Sequence, residues 1–131
     1  MALIAWDDAW LVGHGTIDYD HQMLVNITNQ IYEIRHDPTI KNAQVFQTLQ
    51  QLVSYVERHF AREEAIFEKT DYPDAAAHKQ MHRELERVVR EIVDLWRREP
   101  DLLNFDEVIE FLRRWLIEHI LKHDHKYKPF L

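Results

Sequence analysis

From Thr16 to Leu131 the chain contains no glycine; its only two, Gly13 and Gly15, stand near the start. A β-sandwich or barrel of this length needs many turns rich in glycine or Asn-Gly, and they are missing. Helices remain, and four long segments carry apolar residues at helical spacing. The first runs from about Asp18, read as its N-cap, to Arg35, with Leu24, Ile27, Ile31 and Ile34 recurring at three or four. Asp37-Pro38 ends it, because a residue before proline disfavours the helical basin. The second runs from about Asn42 to Lys69 with Val45, Leu49, Leu52, Val56, Phe60 and Phe67 on one stripe. The third runs from about Asp74 to Arg98 with Met81, Leu85, Val88, Ile92 and Leu95, closed by Pro100. The fourth starts after Asn104, a favourable N-cap followed by Asp106 and Glu107, and carries Val108, Leu112, Trp115, Leu116 and Ile120. Short connections make sequential helices antiparallel neighbours, so the expected fold is all-α: an up-down-up-down four-helix bundle.

The 131 residues suit one domain: an arm over 1–17 holding Trp6 and Trp10, a bundle over 18–124 and a tail over 125–131. The absence of cysteine excludes a disulfide framework, a thiolate metal site and a thiol nucleophile. A formal net charge of −7 argues against nucleic acid and anionic membrane surfaces as partners. No apolar run approaches the roughly 20 residues of a membrane span. The start has no basic segment ahead of an apolar one, so no signal peptide is expected and the cytoplasm is the expected compartment.

Nine histidines in so small a chain are the feature that composition leaves unexplained. His21 opens the first helix, His59 and Glu63 lie late in the second, His78 and His82 open the third, and His119 ends the fourth with Asp124 beyond it. In an antiparallel bundle the starts of helices one and three share an end with the finishes of two and four. All seven groups therefore collect at one end. His59–Glu63 and His78–His82 are each four apart, which puts both members on one face about 6 Å from each other. Apolar rows flank them, so they face inward, where unpaired polar groups are costly. A lone buried histidine is ordinarily a core residue with one hydrogen bond, and a charged i, i+4 pair is ordinarily solvated. Seven ligand-type groups converging from four helices point instead to metal.

Seven ligands overfill a structural zinc site, and Lys79 stands where a zincin places its general-base glutamate. Five imidazoles, two bridging carboxylates and one bridging oxygen fill all but one of the positions on two octahedral ions. A di-iron centre with one vacancy for a small ligand such as O2 fits that arithmetic. Two positions stay open on helix geometry alone. His123 lies about 40° from His119 in projection and Asp124 about 140°, so an ideal helix favours His123. Glu64 is the alternative to Glu63, about 100° off the His59 row.

The chain resembles the hemerythrins, specifically the single-domain bacteriohemerythrins. The matching stretches are Trp6 with Val12-Gly13, Ile17-Asp18-x-x-His21, His59-Phe60-x-x-Glu63-Glu64, Tyr72-Pro73 followed by His78-x-x-x-His82, and Trp115-x-x-x-His119-Ile120-x-x-x-Asp124-x-x-Tyr127. The resemblance implies two iron ions per chain, cycling between Fe2+ and Fe3+ with a bridging oxo or hydroxo group. It implies one iron on His78, His82 and His119, the other on His21 and His59 with an open position, and bridges from Glu63 and Asp124, which requires the last helical turn to loosen. Leu24, Phe60, Trp115, Leu116 and Ile120 are candidates to line a dry O2 pocket, compatible with ordinary core packing. The family usually carries Gln before the first ligand, where this chain has Asp20, which either alters the surroundings of the ligands or is simply solvated. Met often stands where this chain has Phe67.

The implied function is reversible O2 binding for transport, storage or delivery, not catalysis. The expected partner is O2, with an O2-consuming enzyme as receiver and a monomeric state. The alternatives are a di-iron oxidase or peroxide-handling enzyme, against which five neutral imidazoles weigh, and an O2 or redox sensor acting through a separate partner. His14, His36, His123 and His125 are left over. Glu33-x-x-His36 matches half of a ferritin-type motif, but at the wrong end of the bundle, and reads as surface.

Overall fold

Four helices stand where the apolar repeats require them: α1 Gly15–Ile34, α2 Asn42–Phe67, α3 Ala75–Arg98 and α4 Phe105–Glu118. They are seen in a computed structural model that describes residues 4–34, 37, 39–40, 42–102 and 104–131. His36 lies outside the described residues, so the Glu33–His36 reading does too. α1 packs on α2, α2 on α3, and α4 returns to α1. Ion pairs Glu57–Arg90 and Glu64–Arg83 step in opposite directions along α2 and α3, the register of antiparallel neighbours. The result is an all-α, up-down-up-down four-helix bundle. No helix among the described residues is long and apolar enough to cross a membrane.

Asp18 is not an N-cap. α1 begins three residues earlier, and the Asp18 carboxylate reaches back to accept from the N–H of Val12 (2.8 Å) and of Gly13 (3.2 Å). It thus ties the arm to α1. Gly13 takes φ +89°, a conformation that side chains disfavour, and this lets the chain turn into the helix. Further back, the Asn29 side chain accepts from Ile4 N–H and donates to Ile4 C=O, both at 2.8 Å. Trp10 stacks on Trp6 with centroids 5.9 Å apart and is buried in the core. Asn104 does cap α4, accepting from Glu107 N–H at 3.2 Å.

The stripe named on α2 is buried throughout. On α3 the innermost row is instead His78, His82, Val89 and Val93, and Met81, Leu85, Val88, Ile92 and Leu95 are half-buried on its flank. α3 and α4 approach less closely than the other neighbours. That seam leaves a cleft of about 180 Å3 lined by Met81, Leu85, Trp115, Glu118, His119 and His123.

Two apolar clusters form the interior. The larger includes Leu24, Phe60, Trp115, Leu116 and Ile120, and the smaller holds Val12, Ile17, Phe67, Tyr72 and Tyr127. Phe60 and Trp115 of the larger, and Phe67 and Tyr127 of the smaller, touch the histidine rings from opposite sides. The polar groups thus touch both apolar clusters.

Candidate metal centre

All seven expected residues meet at that level, each 5% exposed or less. α1 supplies His21, α2 His59 and Glu63, and α3 His78 and His82. After α4 the chain widens into a π-helical turn, His119–His123, then a 3-10 turn from Asp124 to Lys126. The widened turn brings Asp124 inward, so its carboxylate sits 3.2 Å from His119 Nε2 and 2.8 Å from His21 Nε2. His123, the residue an ideal helix would favour, stays half-buried beside the seam cleft.

Glu63 is the hub. Its Oε1 lies 2.9 Å from His78 Nε2 and 3.1 Å from His82 Nε2, while its Oε2 lies 3.0 Å from His59 Nε2 and 3.8 Å from His21 Nε2. The potential ligand atoms fall into two groups, each drawn within 4.8 Å: Glu63, His78, His82, His119 and Asp124 in one, His21, His59, Glu63 and Asp124 in the other. The two groups share both carboxylates. Glu64 is not in either group; its Oε2 instead meets the outer nitrogen of His82, Nδ1, at 3.0 Å.

The Nε2 atoms of all five histidines, with Glu63 Oε1 and both Asp124 oxygens, are buried and lack hydrogen-bond geometry to any partner. Orphaned buried polar groups cost about 1–3 kcal/mol each, so their convergence needs a compensating ligand. Nitrogen lone pairs and carboxylate oxygens aimed at common points are a donor set for divalent or trivalent metal, and the residues fit such an ion.

Charge balance agrees. Burial opposes charge on Glu63, yet His59 and the contacts with His21 and His78 hold it well below the usual carboxylate range. Burial and the Glu63 charge likewise oppose Asp124, and His119, His21 and His78 outweigh them. Burial disfavours imidazolium at His59, but the charge of Glu63 and the hydrogen bond to Asp20 raise it to about 9. His78 is also raised to about 9, its contacts with Asp124 and Glu63 overcoming burial. His119 goes the other way, to about 3, because burial dominates.

Three contacts around the centre lay beyond the sequence reading, which named Tyr127 only as part of a matching stretch. Tyr127 is buried and donates its hydroxyl to Glu63 Oε2 at 3.2 Å; burial and the two carboxylate charges push its pKa far up, so it remains a donor. Tyr55 and Arg62 bind Asp20, which is 2% exposed and not solvated. Arg83 pairs with Glu64. The signal for the second contact is spacing: Tyr55, His59 and Arg62 stand at i−4, i and i+3 on one face of α2.

The Hemerythrin HHE cation binding domain family matches residues 12–131. The bacteriohemerythrin of Stenotrophomonas maltophilia is 32% identical over 127 residues, covering 97% of this chain and 80% of that protein. The bacteriohemerythrin of Methylococcus capsulatus is 31% identical over 132 residues, covering 100% and 98%. A crystal structure of wild-type hemerythrin superimposes with a TM-score of 0.89 at 30% identity, covering 99% of this chain and 98% of that one. Profile, sequence, fold and the buried cluster of histidines and carboxylates thus agree, and the chain belongs to the hemerythrin family.

Proposed function

We propose that this chain binds O2 reversibly at a di-iron centre, for transport, storage or delivery. In this reading His78, His82 and His119 would hold one iron, His21 and His59 would hold the other and leave it room for a small ligand, and Glu63 and Asp124 would be shared between the two. The observation that carries it is the division of the buried ligand atoms into two groups that share both carboxylates. Shared carboxylates are what two adjacent ions need. A bound iron pair would supply the redox chemistry that reversible O2 binding needs.

The protein's own residues do the rest. Five neutral imidazoles against two carboxylates limit the anionic donation that would stabilise oxidised iron, which favours reversibility over turnover. Phe60 packs on His82, Trp115 on His119, and Phe67 and Tyr127 on His78, so apolar surface shields these rings. Leu24, Leu116 and Ile120, fully buried in the same core as Phe60, extend that apolar surface. Tyr127 holds one Glu63 oxygen in place. The chain works as a cytoplasmic monomer handing O2 to a consuming enzyme.

Anaerobic reduction followed by titration with O2, read by absorption spectra and iron analysis, tests this. Two irons per chain are expected, with near-UV and visible bands that colour in air and bleach under argon through several cycles. Permanent oxidation in a single cycle, or one zinc per chain, overturns the reading.

A further inference from the structure

Asp20 sits one residue before His21 on α1, yet its carboxylate engages α2. Its Oδ2 accepts from His59 Nδ1 at 3.0 Å and from Arg62 Nε at 2.7 Å. Its Oδ1 accepts from the Tyr55 hydroxyl at 2.8 Å and from Arg62 Nη2 at 2.7 Å. A carboxylate offers about four acceptor sites, and this one has four donors on it. The Asp20 side chain is 3% exposed, while that of Arg62 is 39% exposed and reaches water.

An ionised carboxylate only accepts, so a neutral His59 must carry its proton on Nδ1. Its Nε2 lone pair then faces Glu63 and the interior. The ring is also pinned, since Asp20 is itself held by three further hydrogen bonds, one from Tyr55 and two from Arg62. This backing is selective: Nδ1 of His21 and of His119 are buried with no partner. A carboxylate behind a ligating imidazole raises its basicity, and such partners matter to metal affinity by roughly 10–100-fold.

We propose that Asp20 is a positioning residue for the half of the centre formed by His21 and His59. It fixes the His59 ring and tautomer. Its charge, tempered by Arg62, strengthens His59 as a donor and so favours the oxidised metal. This inference rests on the proposed redox-active metal pair. The other half has a looser counterpart: Glu64, 17% exposed, backs His82 and is paired with Arg83.

The test uses the full chain loaded with iron, wild type beside Asp20→Asn and Arg62→Gln. The readouts are the reduction potential by spectroelectrochemical titration and the rate of iron loss to a chelator. Asp20→Asn should shift the oxidised-to-reduced equilibrium toward the reduced form on the order of ten-fold, about 59 mV upward for a one-electron step. It should also lose one of its two irons roughly 10–100-fold more readily. Arg62→Gln leaves the Asp20 charge untempered and should move the potential downward. A purely structural role gives no opposite signs. An unchanged potential in Asp20→Asn, or both variants shifting the same way, overturns the inference while the proposed function stands. Should Asp20→Asn fail to fold, Arg62→Gln decides: a lowered potential supports the inference, and an unchanged or raised one overturns it. If wild type holds no iron pair, the proposed function falls and this inference with it.

Discussion

The backbone N–H of Asp124 donates to the carbonyl of His119, five residues back, where an α-helix would close at four. That one wide turn exchanges which side chain faces the cluster. Asp124 enters it, 3.2 Å from His119 Nε2, and His123 is left at the seam between α3 and α4. Single π-type turns of this kind are frequent at functional sites. Asp124→Ala is therefore expected to lose bound iron, whereas His123→Ala should keep two per chain. Iron analysis of both variants after identical loading checks this, and the reverse pattern would refute the placement.

The metal-free protein should have its own pH profile. His59 and His78 are raised to about 9 from 6.5, so their contribution to stability is complete below about 6.5 and lost as pH rises through about 9. His119, lowered to about 3, and the lowered Glu63 and Asp124 act oppositely, removing stability as pH falls on the acid side. Metal-held imidazoles have no such proton to lose, so the alkaline decline should vanish on loading. In acid, protons compete for the ligands, and iron should leave below about pH 6. Thermal unfolding of metal-free and loaded protein across this range is the measurement. Parallel curves for the two forms between about pH 7 and 9.5 contradict it.

Phe60 lies flat on His82, with centroids 3.8 Å apart and planes 3° from parallel, and is completely buried. Phe60→Ala should cost about 3–5 kcal/mol of stability, the usual range for emptying such a site. The cavity also admits water to the ring, so the O2-bound form should oxidise faster than wild type. Denaturant midpoints and the decay of the O2-dependent spectrum measure the two effects. A loss below about 1 kcal/mol would mean the core collapses around the gap.

Asp18 holds the arm, not the helix end. Asp18→Ala removes the acceptor of two backbone N–H groups, at Val12 and Gly13, and should cost about 1–2 kcal/mol. Proteolysis should then open the arm while α1 persists. Unchanged protease resistance ahead of Gly15 would show that the Ile4–Asn29 pair and Trp10 suffice to hold it.

The stripe of α2 and the cap at Asn104 could be read along the chain because they depend on neighbours three or four residues away. The α3 stripe was displaced because His78 and His82 occupy the innermost row and displace the apolar residues to its flank. Glu63 and Glu64 are adjacent, and spacing favours Glu63 without revealing Glu64's place behind His82, which depends on how α2 and α3 abut. Tyr127 belongs to the tail, and nothing local announces its reach back to Glu63.

Sequence alone determined that the chain forms helices and that antiparallel order carries five histidines and two acids to one end, because periodicity and short connections are local properties. Tertiary structure decided between His123 and Asp124, and whether Asp20 meets water or His59. Those outcomes turn on the pitch of one turn and on contacts between residues about forty positions apart, as in the Asp20–Arg62 pair, where packing overrides the ideal helical angle.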